Sequence, residues 1–203
     1  ASDLTVNDAS DNVFKIKANF NLISPNGGEN WIIASNQPIT WTVQGTVSNI
    51  KLEYSSNGGT DWNTIVASTA NVSPYNWTVP DAISASSRVR VSSVADSTAN
   101  DASDNNFKIR GDLTVTVPNG GEKWNVGSIQ NITWSRVGSI ANVKLEYSTN
   151  SGALYLAIIN STSNTGAYAW TIPDAITTLG LVKITNVDDS TINDVSSATF
   201  KIQ

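Results

Sequence analysis

The strongest constraint on this chain is that it repeats itself without a gap. Pro25-Asn26-Gly27-Gly28-Glu29 recurs as Pro118-Asn119-Gly120-Gly121-Glu122, 93 residues further on. The same shift carries Ile39-Thr40-Trp41 onto Ile132-Thr133-Trp134 and Lys51-Leu52-Glu53-Tyr54-Ser55 onto Lys144-Leu145-Glu146-Tyr147-Ser148. It also carries Trp77-Thr78, Pro80-Asp81-Ala82-Ile83 and Phe107-Lys108-Ile109 onto Trp170-Thr171, Pro173-Asp174-Ala175-Ile176 and Phe200-Lys201-Ile202. Self-similarity at a fixed period means two copies of one structural unit, expected over residues 18–110 and 111–203. A third, partial copy precedes them, because Asn7–Asn12 and Phe14-Lys15-Ile16 match Asn100–Asn105 and Phe107-Lys108-Ile109. Residues 1–17 therefore read as the last strand of a preceding repeat. That segment is either cut from a longer array or a donor strand, with Val13, Phe14, Lys15 and Ile16 completing a neighbour's sheet.

Within a copy the apolar period is two. Ile39, Trp41 and Val43 alternate with polar residues, as do Ile50, Leu52 and Tyr54, and Tyr75, Trp77 and Val79. Alternation of this kind marks strands with one buried and one wet face. With Phe20–Ser24, Trp62–Val66, Val89/Val91 and Phe107/Ile109 the count reaches seven short strands between Gly, Asn, Pro and Asp turns. That pattern predicts an all-β fold of two tandem immunoglobulin-like sandwiches joined by a linker too short for free swinging. The chain has no Cys, His or Met, which removes thiolate and imidazole chemistry and the common zinc sites. A net charge of −5 with no basic stripe argues against nucleic acid, and no apolar run is long enough to span a membrane. No initiating Met or signal peptide is present, which reads as mature or excised material.

These motifs, from Pro-Asn-Gly-Gly-Glu-x-Trp through Ile-Thr-Trp, Leu-Glu-Tyr-Ser and Trp-Thr-Val/Ile-Pro to Phe-Lys-Ile, resemble a known module. It is the immunoglobulin-like repeat shared by yeast cell-wall glucan-synthesis proteins and the Ser-Thr-rich GPI-anchored membrane family, abundant on bacterial and archaeal surfaces. The resemblance covers both copies and the N-terminal segment. It implies an extracellular, cell-surface spacer, stalk or filament unit, with neighbouring copies as partners and no catalytic residues. The second copy departs from it at Asn150–Tyr155, where the first has Asn57–Trp62.

Four polar or aromatic features invite a function. Asp96, Asp101 and Asp104 crowd one loop, with Asp188, Asp189 and Asp194 in the second copy and Asp3, Asp8 and Asp11 in the partial one. Several carboxylates on a short loop suit calcium, which would stiffen the joint; the alternative is that each caps its own turn. Trp31, Trp62 and Trp124 are candidates for stacking on a cell-wall or extracellular polysaccharide, the alternative being packing. That would make the chain a carbohydrate-binding or adhesion module, for example one accessory to a secreted hydrolase. Asn71 and Asn160 are the sequon residues expected in loops, and so the better glycan acceptors. Lys15, Lys108 and Lys201 alternate with inward Phe and Ile and are expected to face solvent. Arg110-Gly111-Asp112 spells an integrin-binding tripeptide that the repeat itself does not need. Glu53 and Glu146 alternate outward with no second carboxylate nearby, so catalysis has no evident residues and no cofactor beyond calcium is called for.

Overall fold

The computed structural model describes residues 10–203. In the first repeat the strands are β1 (Asn19–Ser24), β2 (Asn30–Ile32), β3 (Asn36–Gln44), β4 (Asn49–Ser55), β5 (Asn63–Ala70), β6 (Tyr75–Thr78), β7 (Ser84–Ser93), β8 (Asn100–Ala102) and β9 (Phe107–Arg110). The second repeats the order as β10 (Asp112–Val117), β11 (Lys123–Trp124), β12 (Ile129–Val137), β13 (Asn142–Ser148), β14 (Leu156–Ser163), β15 (Ala167–Thr171), β16 (Thr177–Asn186), β17 (Asn193–Val195) and β18 (Phe200–Ile202). Nine strands per repeat replace the seven expected. The additions, β2 and β8, have three residues each, too few to display a period.

Each repeat is a two-layer sandwich. Sheet β1-β3-β6 faces sheet β2-β9-β7-β4-β5, with β8 added to β7; β10-β12-β15 and β11-β18-β16-β13-β14 with β17 do the same. The last strand of the first repeat, β9, runs parallel to β2 and antiparallel to β7, and so closes that repeat on itself. Two immunoglobulin-like sandwiches in tandem are the fold of this chain. Their cores are separate, one built around Leu22, Ile39, Leu52 and Phe107, the other around Val115, Ile132, Leu145 and Phe200. Each such side chain, fully withdrawn from water, contributes roughly 1.5–3 kcal/mol.

The Gly-Gly-Glu turn shows why its residues are needed. The Glu29 carboxylate accepts hydrogen bonds from the Asn26 and Gly27 amides at 2.8 and 2.9 Å. Gly27 has φ +132°, and a Cβ there would meet the Asn105 Cβ at 2.5 Å, so only glycine fits. Glu122 makes the same pair of bonds to Asn119 and Gly120.

Candidate functional site: the joint between the sandwiches

The Asp-Ser-Thr turn after β7 is a local structure first. Asp96 Oδ1 accepts from the Thr98 amide at 3.1 Å and from Thr98 Oγ1 at 2.7 Å, an Asx turn that also leaves Oδ2 facing outward. Asp189 repeats it with Thr191, at 3.1 and 2.6 Å. A lysine from the preceding repeat meets that outward oxygen. Lys108 of β9, in the first sandwich, pairs with Asp189 and donates to Thr191 Oγ1 at 3.0 Å in the second. Lys15, its counterpart in the N-terminal segment, pairs with Asp96 at 2.8 Å and donates to Thr98 Oγ1 at 3.3 Å. Hydrogen bonds from Lys15 and then Thr98 hold the Asp96 carboxyl down at about 2, and Lys108 and Thr191 lower that of Asp189 in the same way.

Across the linker a second set of contacts joins the sandwiches. Ser139 donates through Oγ to Asp81 Oδ2 at 2.5 Å and through its amide to Asp81 Oδ1 at 3.2 Å. Beside it Gly138, at φ +79°, lies under the Cδ1 of Ile33, so that any side chain there would collide with the first sandwich. Gly111 in the linker is equally constrained, since a Cβ would sit 2.5 Å from the Val137 carbonyl oxygen and 2.9 Å from Ile140. Ile33 and Ile140 are both buried. A shallow groove lined by Asp81, Arg136, Ser139 and Asn164 runs along this joint.

Lys15 and Lys201 are exposed as alternation predicts, and Lys108 departs from that expectation. Alternation rightly turns Lys108 away from its own core, but away from the core at the sandwich's end means toward the next sandwich. The ammonium stands at the acidic loop, where a calcium ion was the sequence expectation. The six aspartates do not share a site. Asp101 accepts from the Leu22 amide at 2.7 Å and Asp194 from the Val115 amide at 2.7 Å. Asp104 accepts from Asn26 Nδ2 at 2.9 Å, and Asp188 is exposed. Among the described residues no three acidic side chains converge. Asp3 and Asp8 lie outside the described residues.

The other candidates are placed as follows. Trp31 and Trp124, each 6% exposed, are core residues, packed on Phe107 and Phe200 with ring centroids 4.9 and 5.0 Å apart; neither offers a face to a sugar. Trp62 is half-buried, with the Arg90 guanidinium 4.3 Å from its ring. Asn71 spends its side chain on Trp41 Nε1 and the Val47 carbonyl, at 2.8 and 3.1 Å, so its nitrogen is engaged. Asn160 is exposed but sits within β14, not in a loop. Arg110 folds back on Asp112 at 3.1 Å, so the two charges of the integrin-like tripeptide pair with each other. Val13, Phe14 and Ile16 are exposed and belong to no strand.

Glu53 points out of the core as alternation requires, yet it is 6% exposed. Lys51 covers it from one side at 2.5 Å, Arg90 from the other at 2.7 Å. Burial pushes its carboxyl up, but the hydrogen bonds from Lys51 and Arg90 outweigh this and hold it below the ordinary value. A carboxylate so neutralised is a structural group rather than a general base.

No protein-family model matches the chain, and no curated protein matches it in sequence. Among solved structures it is similar to the fibronectin(III)-like modules of Clostridium thermocellum CbhA, at 16% identity over 91% of this chain and 94% of that one, TM-score 0.33. It is similar to the N-terminal four Ig domains of Dscam1 isoform 6.44, at 10% identity over 94% of this chain, TM-score 0.42; the chain spans 47% of that structure. The IG1+IG2 pair of DIP-gamma matches at 6% identity over 91% of this chain and 98% of its own, TM-score 0.32.

Proposed function

We propose that this chain is a non-enzymatic extracellular spacer, a segment of a stalk or filament on a cell surface whose function is length and stiffness. The observation that carries this reading is the repetition of the joint. Lys15 meets Asp96 and Thr98 as Lys108 meets Asp189 and Thr191, so one contact recurs at each boundary of the repeat. A second support is the linker, where β9 ends at Arg110 and β10 begins at Asp112. A connection that short, flanked by an ion pair and a buried Ile33–Gly138 contact, opposes swinging. The resemblance of the sequence motifs to the cell-wall and GPI-anchored surface repeats points the same way and is the support for a cell-surface location. Calcium has no part in this reading.

The N-terminal segment fits it too. Phe14 and Ile16 are 76% and 87% exposed, whereas Phe107 and Ile109, their counterparts, are 1% and 0% exposed. They are core-filling side chains of a sandwich other than these two, either a preceding repeat or a neighbouring copy that takes Val13–Ile16 as a donated strand. Polysaccharide binding, the other reading, retains only Trp62, one face of which Arg90 already occupies.

The test is the rigidity of the pair. Ser68 and Ser161 are exposed and occupy equivalent places in β5 and β14, and the chain has no cysteine, so Ser68→Cys with Ser161→Cys gives two unique spin-label sites. A single narrow distance distribution is expected; a broad one, as for a freely jointed pair, removes the spacer reading.

A further inference from the structure

The two sandwiches provide an internal control for what the joint covers. Ile33, at the far end of the first sandwich, is 7% exposed against Gly138; Val126, its counterpart at the far end of the second, is 38% exposed. Lys108 and Asp81 are engaged with Asp189 and Ser139, whereas their counterparts Lys201 and Asp174 are exposed and form no ion pair among the described residues. The far end of the second sandwich thus carries, at exposed positions, the counterparts of the residues with which the first sandwich forms its half of the joint. The matching half exists on the first sandwich: Gly45, Thr46 and Val47 stand where Gly138, Ser139 and Ile140 do, and Asp96 and Thr98 where Asp189 and Thr191 do. Gly45 keeps the left-handed φ of Gly138, +95° against +79°.

Resting on the spacer reading, we infer that the end of the second sandwich formed by Val126, Asp174 and Lys201 docks head-to-tail on the first sandwich of a second copy, with Lys201 on Asp96 and Asp174 on Thr46. Such a contact uses two different surfaces and, repeated, extends as a line. The chemistry is complementary at each point, ammonium to carboxylate, carboxylate to hydroxyl and valine to glycine backbone. The partner's own Lys15 sits on Asp96 and competes for it, so the N-terminal segment limits the association. The contact is also small beside the about 1,200–2,000 Å² of stable complexes. Docking in free solution is therefore weak, and gains when copies are held close together.

The experiment traps the contact. Equal amounts of ¹⁴N- and ¹⁵N-labelled full chain carrying Lys15→Ala are treated with a zero-length carbodiimide and mapped by mass spectrometry. A mixed-isotope Lys201–Asp96 link is expected. It should weaken when Lys15 is restored and disappear with Lys201→Glu, an exposed position that leaves the sandwich intact. The Lys108–Asp189 link within one chain is the internal reference. If it forms and Lys201 is trapped on no carboxylate, or on one other than Asp96, the docking inference is wrong while the spacer reading stands. If the reference link itself is missing, the joint does not exist and both fall.

Discussion

The two sandwiches agree in the aromatic cluster at the heart of each core and differ on the outer face of the sheet around Glu53 and Glu146. Trp31 and Trp77 meet edge-on with centroids 6.0 Å apart, Trp124 and Trp170 at 6.1 Å. Tyr54 and Trp77 lie 5.2 Å apart, Tyr147 and Trp170 5.1 Å. On the outer face the copies part. Arg90 donates through Nε and Nη2 to Glu53 at 3.1 and 2.7 Å while lying over Trp62. Its counterpart Lys183 sits 5.4 Å from the Tyr155 ring, and Glu146 is left with Lys144. The cores exchange volume between positions, as Ala99 for Ile192 and Phe20 for Leu113 show, but keep the aromatic cluster, whereas an outer-face pair can change at little cost.

The largest effect tests the agreement. Phe107→Ala and Phe200→Ala should each destabilise their own sandwich by about 3–5 kcal/mol. The losses should match, because both rings are fully buried against a tryptophan. Urea unfolding followed by tryptophan fluorescence reads this, since both sandwiches contain tryptophans in their cores. Losses that differ by more than the error would mean that the cores only look alike.

The next tests the difference. Glu53→Ala leaves Lys51 and Arg90 crowded without their anion, and a cost of about 1–3 kcal/mol is expected. Glu146→Ala abandons only Lys144 and should cost about 0–1 kcal/mol. Because the Glu53 carboxyl is lowered, its contribution is present above the ordinary value of 4.5 and fades as pH falls below it. The first sandwich should accordingly lose the gap between the two variants in acid. A gap that persists there would show that lost packing, not charge, sets it.

How much of this was readable in the sequence follows the range of the interactions. Ile39, Trp41, Ile50 and Leu52 announce their burial through local alternation, and all four are core residues. Trp31 does not, because β2 is three residues long and owes its burial to parallel pairing with β9, far along the chain. Glu53 alternates outward correctly, but its cover comes from Arg90 on the neighbouring strand β7. The joint leaves one trace in the sequence: Lys15 and Asp96 are separated by the same stretch of chain as Lys108 and Asp189. A polar pair preserved across both boundaries, outside either core, is what a contact between repeats leaves in a sequence.

The two joints give a smaller contrast. Lys15 is 64% exposed and Lys108 24%, so the contact of the N-terminal segment is the wetter one. Asp189→Asn should broaden the distance distribution between labels at positions 68 and 161 while leaving urea midpoints almost unmoved, within about 1 kcal/mol. Acid should act likewise, because both carboxyls are lowered: each contact contributes fully above the ordinary 3.8 and fades as pH falls from there through the lowered value. Lys108 and Thr191 face Asp189, with Asp188 beside it, and the Asp96–Lys15 contact should survive until about 2. A distribution that stays narrow through this range would assign the rigidity to Ile33, Gly138 and Asp81 instead.

The smallest effect comes from exchanging the outer faces. Tyr155→Trp with Lys183→Arg should give the second sandwich about 0.5–1 kcal/mol, since a guanidinium both stacks on the indole and reaches the glutamate. Trp62→Tyr with Arg90→Lys should cost the first a similar amount, and each exchange should exceed the sum of its single changes. If the second sandwich gains nothing, the reason lies in the hairpin beneath the ring. There Asn57 Nδ2 donates to Asp61 at 2.8 Å, and Leu154 cannot accept that bond from Asn150. Ser151 also holds a left-handed φ of +54° where the first copy has Gly58 at +73°. A hairpin strained at Ser151 would not hold the new indole over the guanidinium. Adding Ser151→Gly and Leu154→Asp should then recover the gain, because these two changes restore the turn and its hydrogen bond before the stack is asked to form.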